Sequence, residues 1–208
     1  LLTQVQAIML DGHFIMEHGA RSQSGRFFNF NGTAGMWRRK SIDDAGGWQH
    51  DTLTEDLDLS YRAQLKGQRF IFLEDVESPS ELPIEMNAFK SQQHRWSKGS
   101  IQTAKKLLPT VLRSALPFRV KLEAIFHLTN NMAYVLMMML SILMFPSIVI
   151  RVQAGWISSF WIDLPFLMAA TISVSLFYLF SEREVDRVQW KRRILYLPFL
   201  MSIGIGIC

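Results

Sequence analysis

The chain has 208 residues, 49% of them hydrophobic, with a mean hydropathy of +0.13 and a formal charge of +4. That length holds one domain plus a membrane region and is small for two complete soluble domains. The single cysteine, Cys208, excludes an intrachain disulfide and a cysteine-based zinc site, and the basic residues at 90–121 and 183–193, beside apolar runs, suit an anionic membrane surface or phosphorylated substrates better than nucleic acid.

Residues 1–100 have an ordinary globular composition, whereas 127–208 read as lipid-embedded helices. The sequence opens without methionine and stops inside an apolar run, so it reads as a piece of a longer protein; no signal peptide is visible. FFNFNGTAGMWRR, 27–39, is expected to be a strand running into a Gly-rich turn and a short helical start. After a turn at Gly46-Gly47, Thr52 and Glu55 form a capping-box signature, which predicts a helix to Lys66 stopped by Gly67. RFIFLEDV, 69–76, is a second expected strand, and Pro83 opens a helix containing MNAFKSQQHRWSKG. This order predicts a mixed α/β layer over 1–99.

Residues 100–126 alternate Lys105, Lys106, Arg113, Arg119 and Lys121 with Leu107, Leu108, Val111, Leu112 and Leu116, and Pro109 and Pro117 should break them into short pieces. The pattern predicts interfacial amphipathic helices on the cytoplasmic leaflet. From 127 to 208 three spans are expected, at about 127–150, 160–180 and 194–208, with Asp163 at the interfacial end of the second. The 151–159 connection holds Arg151 alone, but 181–193 holds Arg183, Arg187, Lys191, Arg192 and Arg193. By the positive-inside rule the second connection, and with it the N-terminal part, is cytoplasmic.

LTEDLDLS, 53–60, crowds Glu55, Asp56 and Asp58 at a helix start. Acids there favourably oppose the macrodipole, and Glu55 and Asp58 suit that role, which Asp56 shares as an open alternative. Asp56-Leu57-Asp58 spells a metal-binding D-x-D, but residues two apart on a helix point roughly 200° apart, so one cation cannot hold both. The remaining role for Asp56 is a general base, ionised and rigid at the helix N-terminus. Gln92, Arg95 and Trp96 share one helix face and offer an amide, a guanidinium fork for phosphate and a flat ring for a sugar face. Trp96 as core and Arg95 as a surface ion-pair member is the competing reading. His94 points to another side, and His13, His18, His50 and His127 lack metal-ligand spacing.

Thr54-Glu55-Asp56 followed by Gln92-x-x-Arg95-Trp96 resembles the TED and QxxRW pattern of processive family-2 glycosyltransferases, the cellulose synthase-like and mannan synthase-like membrane enzymes. FFNFNGTAGMWRR, the Gly-Gly-Trp turn and LEDVESPSELP look like that family in the same order. The resemblance implies the C-terminal half of a GT-A-like α/β catalytic domain, followed by interfacial helices and transmembrane helices. It implies an inverting hexosyltransferase with Asp56 as base, Gln92 and Arg95 on the diphosphate, and Trp96 under the acceptor sugar. Phe28, Asn31 and Gly32 would line the acceptor pocket, and Thr54 and Glu55 would contact substrate beside Asp56. The implied partners are a UDP- or GDP-hexose donor, a polysaccharide acceptor (glucan or mannan) and membrane lipids. Mg or Mn would come through a D-x-D motif outside this chain, which alone would be inactive. The implied location is a bacterial inner (plasma) membrane. The 181–193 stretch lacks the gating-loop pattern of cellulose synthases proper. A single-addition enzyme acting on a lipid carrier, or a non-catalytic transporter or scaffold, is the alternative.

Overall fold

The computed structural model describes residues 1–32, 34–154 and 156–206. In chain order these form α1 (Leu2–Asp11), α2 (Gly19–Ser24), α3 (Arg39–Asp44), α4 (Glu55–Leu65), α5 (Met86–Arg113), α6 (Phe118–Thr129), α7 (Met132–Ala154), α8 (Trp156–Val185), α9 (Trp190–Arg193) and α10 (Leu197–Gly206). A π-helical segment covers Gly12–His18 and a 3-10 turn covers Ile194–Tyr196. Two compact units result, one spanning Glu17–Asn131 and the other made mainly of Thr3–Met16 and Met132–Cys208.

In the Glu17–Asn131 unit, three helices each contribute a pair of side chains four residues apart to one core. Leu57 and Tyr61 of α4, Leu107 and Val111 of α5, and Ala124 and Leu128 of α6 close around Phe27. The opposite face of α4 buries Leu59 and Ala63 against Ala45, with Trp37 and Ile42 alongside. Covered on both faces, α4 is the central helix of the unit.

The expected stop of α4 at Gly67 forms. Gly67 has φ +84°, its N–H reaches the Gln64 carbonyl, and the Gln68 N–H reaches that of Ala63, the two bonds of a Schellman ending. The expected capping box does not form. Thr54 is the N-cap, without a side-chain cap bond, and the Thr52 hydroxyl is buried with no partner among the described residues. Gln102 Oε1 accepts the Leu53 N–H at 2.9 Å, which ties the connection to α5 just before the helix starts.

Neither expected strand appears; among the described residues there is no β-ladder. The reason lies in where the backbone groups of 28–30 go. Gln64 Oε1 accepts the Phe28 N–H at 2.7 Å, Gln64 Nε2 donates to the Phe28 carbonyl at 2.6 Å, and Ser60 Oγ accepts the Phe30 N–H at 2.8 Å. Side chains of α4 thus take the bonds a neighbouring strand would make. Residues 27–30 and 70–72 still lie side by side through rings: Phe28 stacks on Phe70 with centroids 5.6 Å apart and tilts against Phe72 at 5.8 Å.

Pro109 does not break the 100–126 stretch. It sits inside the 28-residue α5, and the break falls at Pro117, the N-cap of α6. Pro109 forgoes its own N–H bond, yet Leu107 and Val111 on either side are buried and the helix continues through it. Those two residues, expected at a lipid interface, are core. Lys106, expected to face lipid headgroups, instead reaches Asp51 and Asp58.

In the other unit, Val5, Ile8 and Leu200 form a small core with Met9, Tyr178, Tyr196 and Ile203 around it. Gly12 permits close approach to α8, since a Cβ there would lie 2.8 Å from the rings of Phe177 and Tyr178. Arg193 bridges Asp11 at 3.1 Å and Glu182 at 2.8 Å. Two helical stretches, Met132–Gln153 (22 residues) and Asp163–Val185 (23 residues), are long and apolar enough to cross a membrane. The first begins five residues later than expected, because His127 and Leu128 belong to α6 and pack in the other unit. Of the third expected span, Ile194–Tyr196 is a 3-10 turn and α10 adds 10 residues, about 15 Å of rise; residues 207–208 lie outside those described. Asp163 is ion-paired to Arg151 at the adjoining ends of α8 and α7.

Candidate active site

Asp56 sits in the first turn of α4 with its carboxylate turned to the 29–32 segment. Its Oδ2 accepts the Gly32 N–H at 2.7 Å and its Oδ1 accepts the Leu57 N–H at 2.8 Å. Gly32 has φ +54°, a left-handed conformation that other residues adopt at a cost. Burial pushes the Asp56 carboxyl above its ordinary value of 3.8, and the Glu55 charge adds to this, while the two backbone bonds act against it. The result is a carboxylate fixed in orientation and more basic than a free one, which are the properties a general base needs.

The segment facing Asp56 is braced from behind. Asn31 Oδ1 accepts from Asn29 Nδ2 at 2.6 Å, and Asn29 Oδ1 accepts from His18 Nε2 at 3.1 Å and from Arg21 Nη1 at 3.3 Å. Arg21 also donates to Glu123 Oε1 at 2.8 Å and to His127 Nε2 at 3.0 Å. Because an arginine only donates, His127 Nε2 is the acceptor. Its proton is therefore on Nδ1, which donates to the Tyr61 hydroxyl at 2.7 Å. Burial raises the Glu123 carboxyl, with Arg21 opposing that shift. Phe28 lies in the aromatic packing beside His18, Phe70 and Phe72 rather than at an open surface. Asn31 and Gly32 are the more exposed end of the segment.

The QQHRW helix meets α4 at Thr54. A Cβ on Gly99 would lie 2.5 Å from Thr54 Cγ2 and 2.8 Å from the Thr54 backbone nitrogen, and the hydroxyls of Thr54 and Thr103 are 3.4 Å apart. At about 100° per residue, Gln92, Trp96, Gly99 and Thr103 fall within one arc of roughly 60°, with Arg95 about 40° outside it. Gln92 and Trp96 therefore lie on the α5 face that touches the start of α4, one to two turns before the contact. Gln92 is half-buried, Arg95 is exposed and Trp96 retains 41% of its surface. Arg95 and Trp96 make no hydrogen bond or ion pair among the described residues, so the core reading of Trp96 does not hold. Thr54 is buried in the helix crossing, whereas Glu55 is exposed.

Asp58 is not a solvated helix-start acid. It is fully buried, with Arg62 Nη2 2.7 Å from Oδ2 and Lys106 Nζ 2.9 Å from Oδ1. Arg62 also donates to the Ala45 carbonyl, and Lys106 donates to Gln49 Oε1 at 2.6 Å and to Asp51 at 2.8 Å. With Asp58 held by two cations and Asp56 turned to backbone N–H groups, this pair does not fit a divalent metal, and no group of three ligands occurs among the described residues. The Asp58–Arg62 spacing of four was visible as an i,i+4 pair; partners a hundred positions apart, such as Arg21 with Glu123 and His127, left no local signal.

The family described as "Glycosyl transferase family group 2" matches residues 1–207. The chain belongs to that family. It is similar to Glucomannan 4-beta-mannosyltransferase 1 of Oryza sativa subsp. japonica, 46% identical over 114 residues, covering 55% of this chain and 22% of that protein. Glucomannan 4-beta-mannosyltransferase 2 of Arabidopsis thaliana is 46% identical over 114 residues (55% and 21%), and Probable glucomannan 4-beta-mannosyltransferase 11 of rice is 48% identical over 114 (55% and 20%). The match thus spans about a fifth of the length of these curated relatives. All three are plant proteins, so a bacterial membrane finds no support in them. No solved structure matches the chain.

Proposed function

We propose that this chain is part of a membrane-embedded inverting glycosyltransferase that adds a hexose from a nucleotide sugar to a growing β-linked polysaccharide. The observation that carries this is the Asp56 carboxylate, clamped by the Gly32 N–H at 2.7 Å and made more basic by burial, at the end of α4 that contacts the QQHRW helix. Asp56 takes the proton of an acceptor hydroxyl. That oxygen forms the bond to the anomeric carbon while the bond to the diphosphate oxygen breaks, and the nucleoside diphosphate leaves from the opposite face. Configuration inverts. Arg95 and Gln92 offset charge on the departing diphosphate, and Trp96 supports the acceptor ring.

The names of the plant relatives favour a mannan or glucomannan product, and we take the donor to be a GDP- or UDP-hexose. We place the complete catalytic domain in a GT-A-like α/β fold, with any Mg or Mn held by a D-x-D motif outside this chain, on the cytoplasmic side of the membrane. The α6 face of Phe118, Leu122 and Phe126 is exposed beside Arg119 and Lys121, which suits a headgroup interface. The test is full-length protein in membranes supplied with radiolabelled nucleotide sugars. Polymer from the parent protein and none from Asp56→Asn supports the reading; transfer retained by Asp56→Asn overturns it. A labelled lipid carrying one sugar would instead favour single addition.

A further inference from the structure

A second feature at the start of α4 lies on the Glu55 side of the helix and takes no part in the chemistry described above. It is an open cavity of about 340 Å³ lined by Trp48, Gln49, His50, Thr52, Leu53 and Glu55. That volume is at the lower end for small-ligand sites. Trp48 is held at one edge by Trp37, with ring centroids 6.1 Å apart and nearly perpendicular planes, and leaves 47% of its own surface open. The connection carrying it is fixed in advance from α5: Lys106 holds Gln49 and Asp51, and Gln102 holds the Leu53 N–H. Thr52 is 6% exposed, and its hydroxyl is buried behind the cavity wall with no partner among the described residues, so a ligand hydroxyl meets it only after a side-chain rotation.

The lining chemistry selects the ligand. No Lys or Arg lines the cavity, and its one carboxylate, Glu55, repels phosphate. This argues against a nucleotide or diphosphate. An open indole for an apolar C–H ring face, together with an imidazole, a carboxylate and a threonine hydroxyl for ring hydroxyls, matches a neutral hexopyranose. The geometry points to a second sugar-binding subsite, centred on Trp48, His50, Thr52 and Glu55, which holds a residue of the acceptor polysaccharide away from the reacting end. This rests on the glycosyl-transfer reading and adds where the chain beyond its terminal sugar is gripped.

The test uses the full-length enzyme in membranes, with β-1,4-mannotetraose as the acceptor probe and labelled nucleotide sugar as donor. Trp48→Ala should raise the acceptor KM roughly threefold to tenfold, leave the donor KM within about twofold, and shorten the labelled product. Trp48→Phe should restore most of the difference. Thr52→Val keeps shape but removes the hydroxyl; it should raise the acceptor KM if the hydroxyl meets a sugar. It should raise only thermal stability, with the acceptor KM unchanged, if the group is merely orphaned, and that result overturns the proposal. Thr52→Val and His50→Ala decide the matter should Trp48→Ala fail to insert. Normal acceptor KM and product length in these variants, with the parent enzyme active, overturns the subsite alone; an inactive parent overturns the transfer reading with it.

Discussion

The Gly32 N–H donates to Asp56 Oδ2 across 2.7 Å, joining a segment expected to be a strand to the acid expected to be a base. The contact fixes where the carboxylate points and by itself lowers its proton affinity, while burial outweighs it and raises that affinity.

Asp56→Asn should lower transfer by about 10²–10⁴-fold, the usual contribution of a general base. The amide oxygen still accepts from Gly32, so the fold should persist. Sugar transfer and circular dichroism on the same preparation check both.

The pH dependence follows from the raised Asp56 pKa. The folded state binds a proton here more tightly than the unfolded chain, so this group's contribution favours folding at low pH and is lost as pH rises from 3.8 through the folded value. Activity runs the other way, since only the ionised form accepts a proton. Melting curves across pH should therefore show Asp56→Asn gaining on the parent as pH rises, while the parent's transfer rate increases over the same interval.

Gly99→Ala should push α5 away from Thr54, because the new Cβ would meet the Thr54 backbone nitrogen at 2.8 Å. An overpacked helix crossing costs about 1–3 kcal/mol. Denaturant unfolding measures that cost, and a raised acceptor KM would show that the two motifs lose their registration.

Asp58→Ala leaves Arg62 and Lys106 without their shared carboxylate, with Lys106 still tied to Gln49 and Asp51. Removing one member of a buried ion cluster typically costs about 3–5 kcal/mol. Thermal unfolding should report a loss of that order.

Tyr61→Phe removes the hydroxyl that accepts from His127 Nδ1 at 2.7 Å. The net worth of one such hydrogen bond is about 0.5–1.5 kcal/mol. The loss should appear in stability, with transfer by the surviving folded protein changed little.

Much of the architecture could be read from local pattern. The apolar runs of α7 and α8 need only hydropathy and length, and the end of α4 needs only Gly67 at a left-handed position. TED and QxxRW, separated by some forty residues, were enough to suggest the family, because each motif is written in a few adjacent positions. Tertiary structure decided matters that depend on distant partners. Residues 27–30 alternate like a strand, but Gln64 and Ser60 take their backbone bonds. Pro109 signals a break, but the buried Leu107 and Val111 outweigh it. Asp56 and Asp58 are two positions apart in the same helical turn, yet one faces backbone N–H groups and the other is locked between Arg62 and Lys106. Sequence determined which chemical groups were available, since composition and short-range spacing reside in the chain itself. Which carboxylate was taken up by cations and which was not was decided by long-range packing, because burial and charge pairing depend on neighbours that only folding brings near.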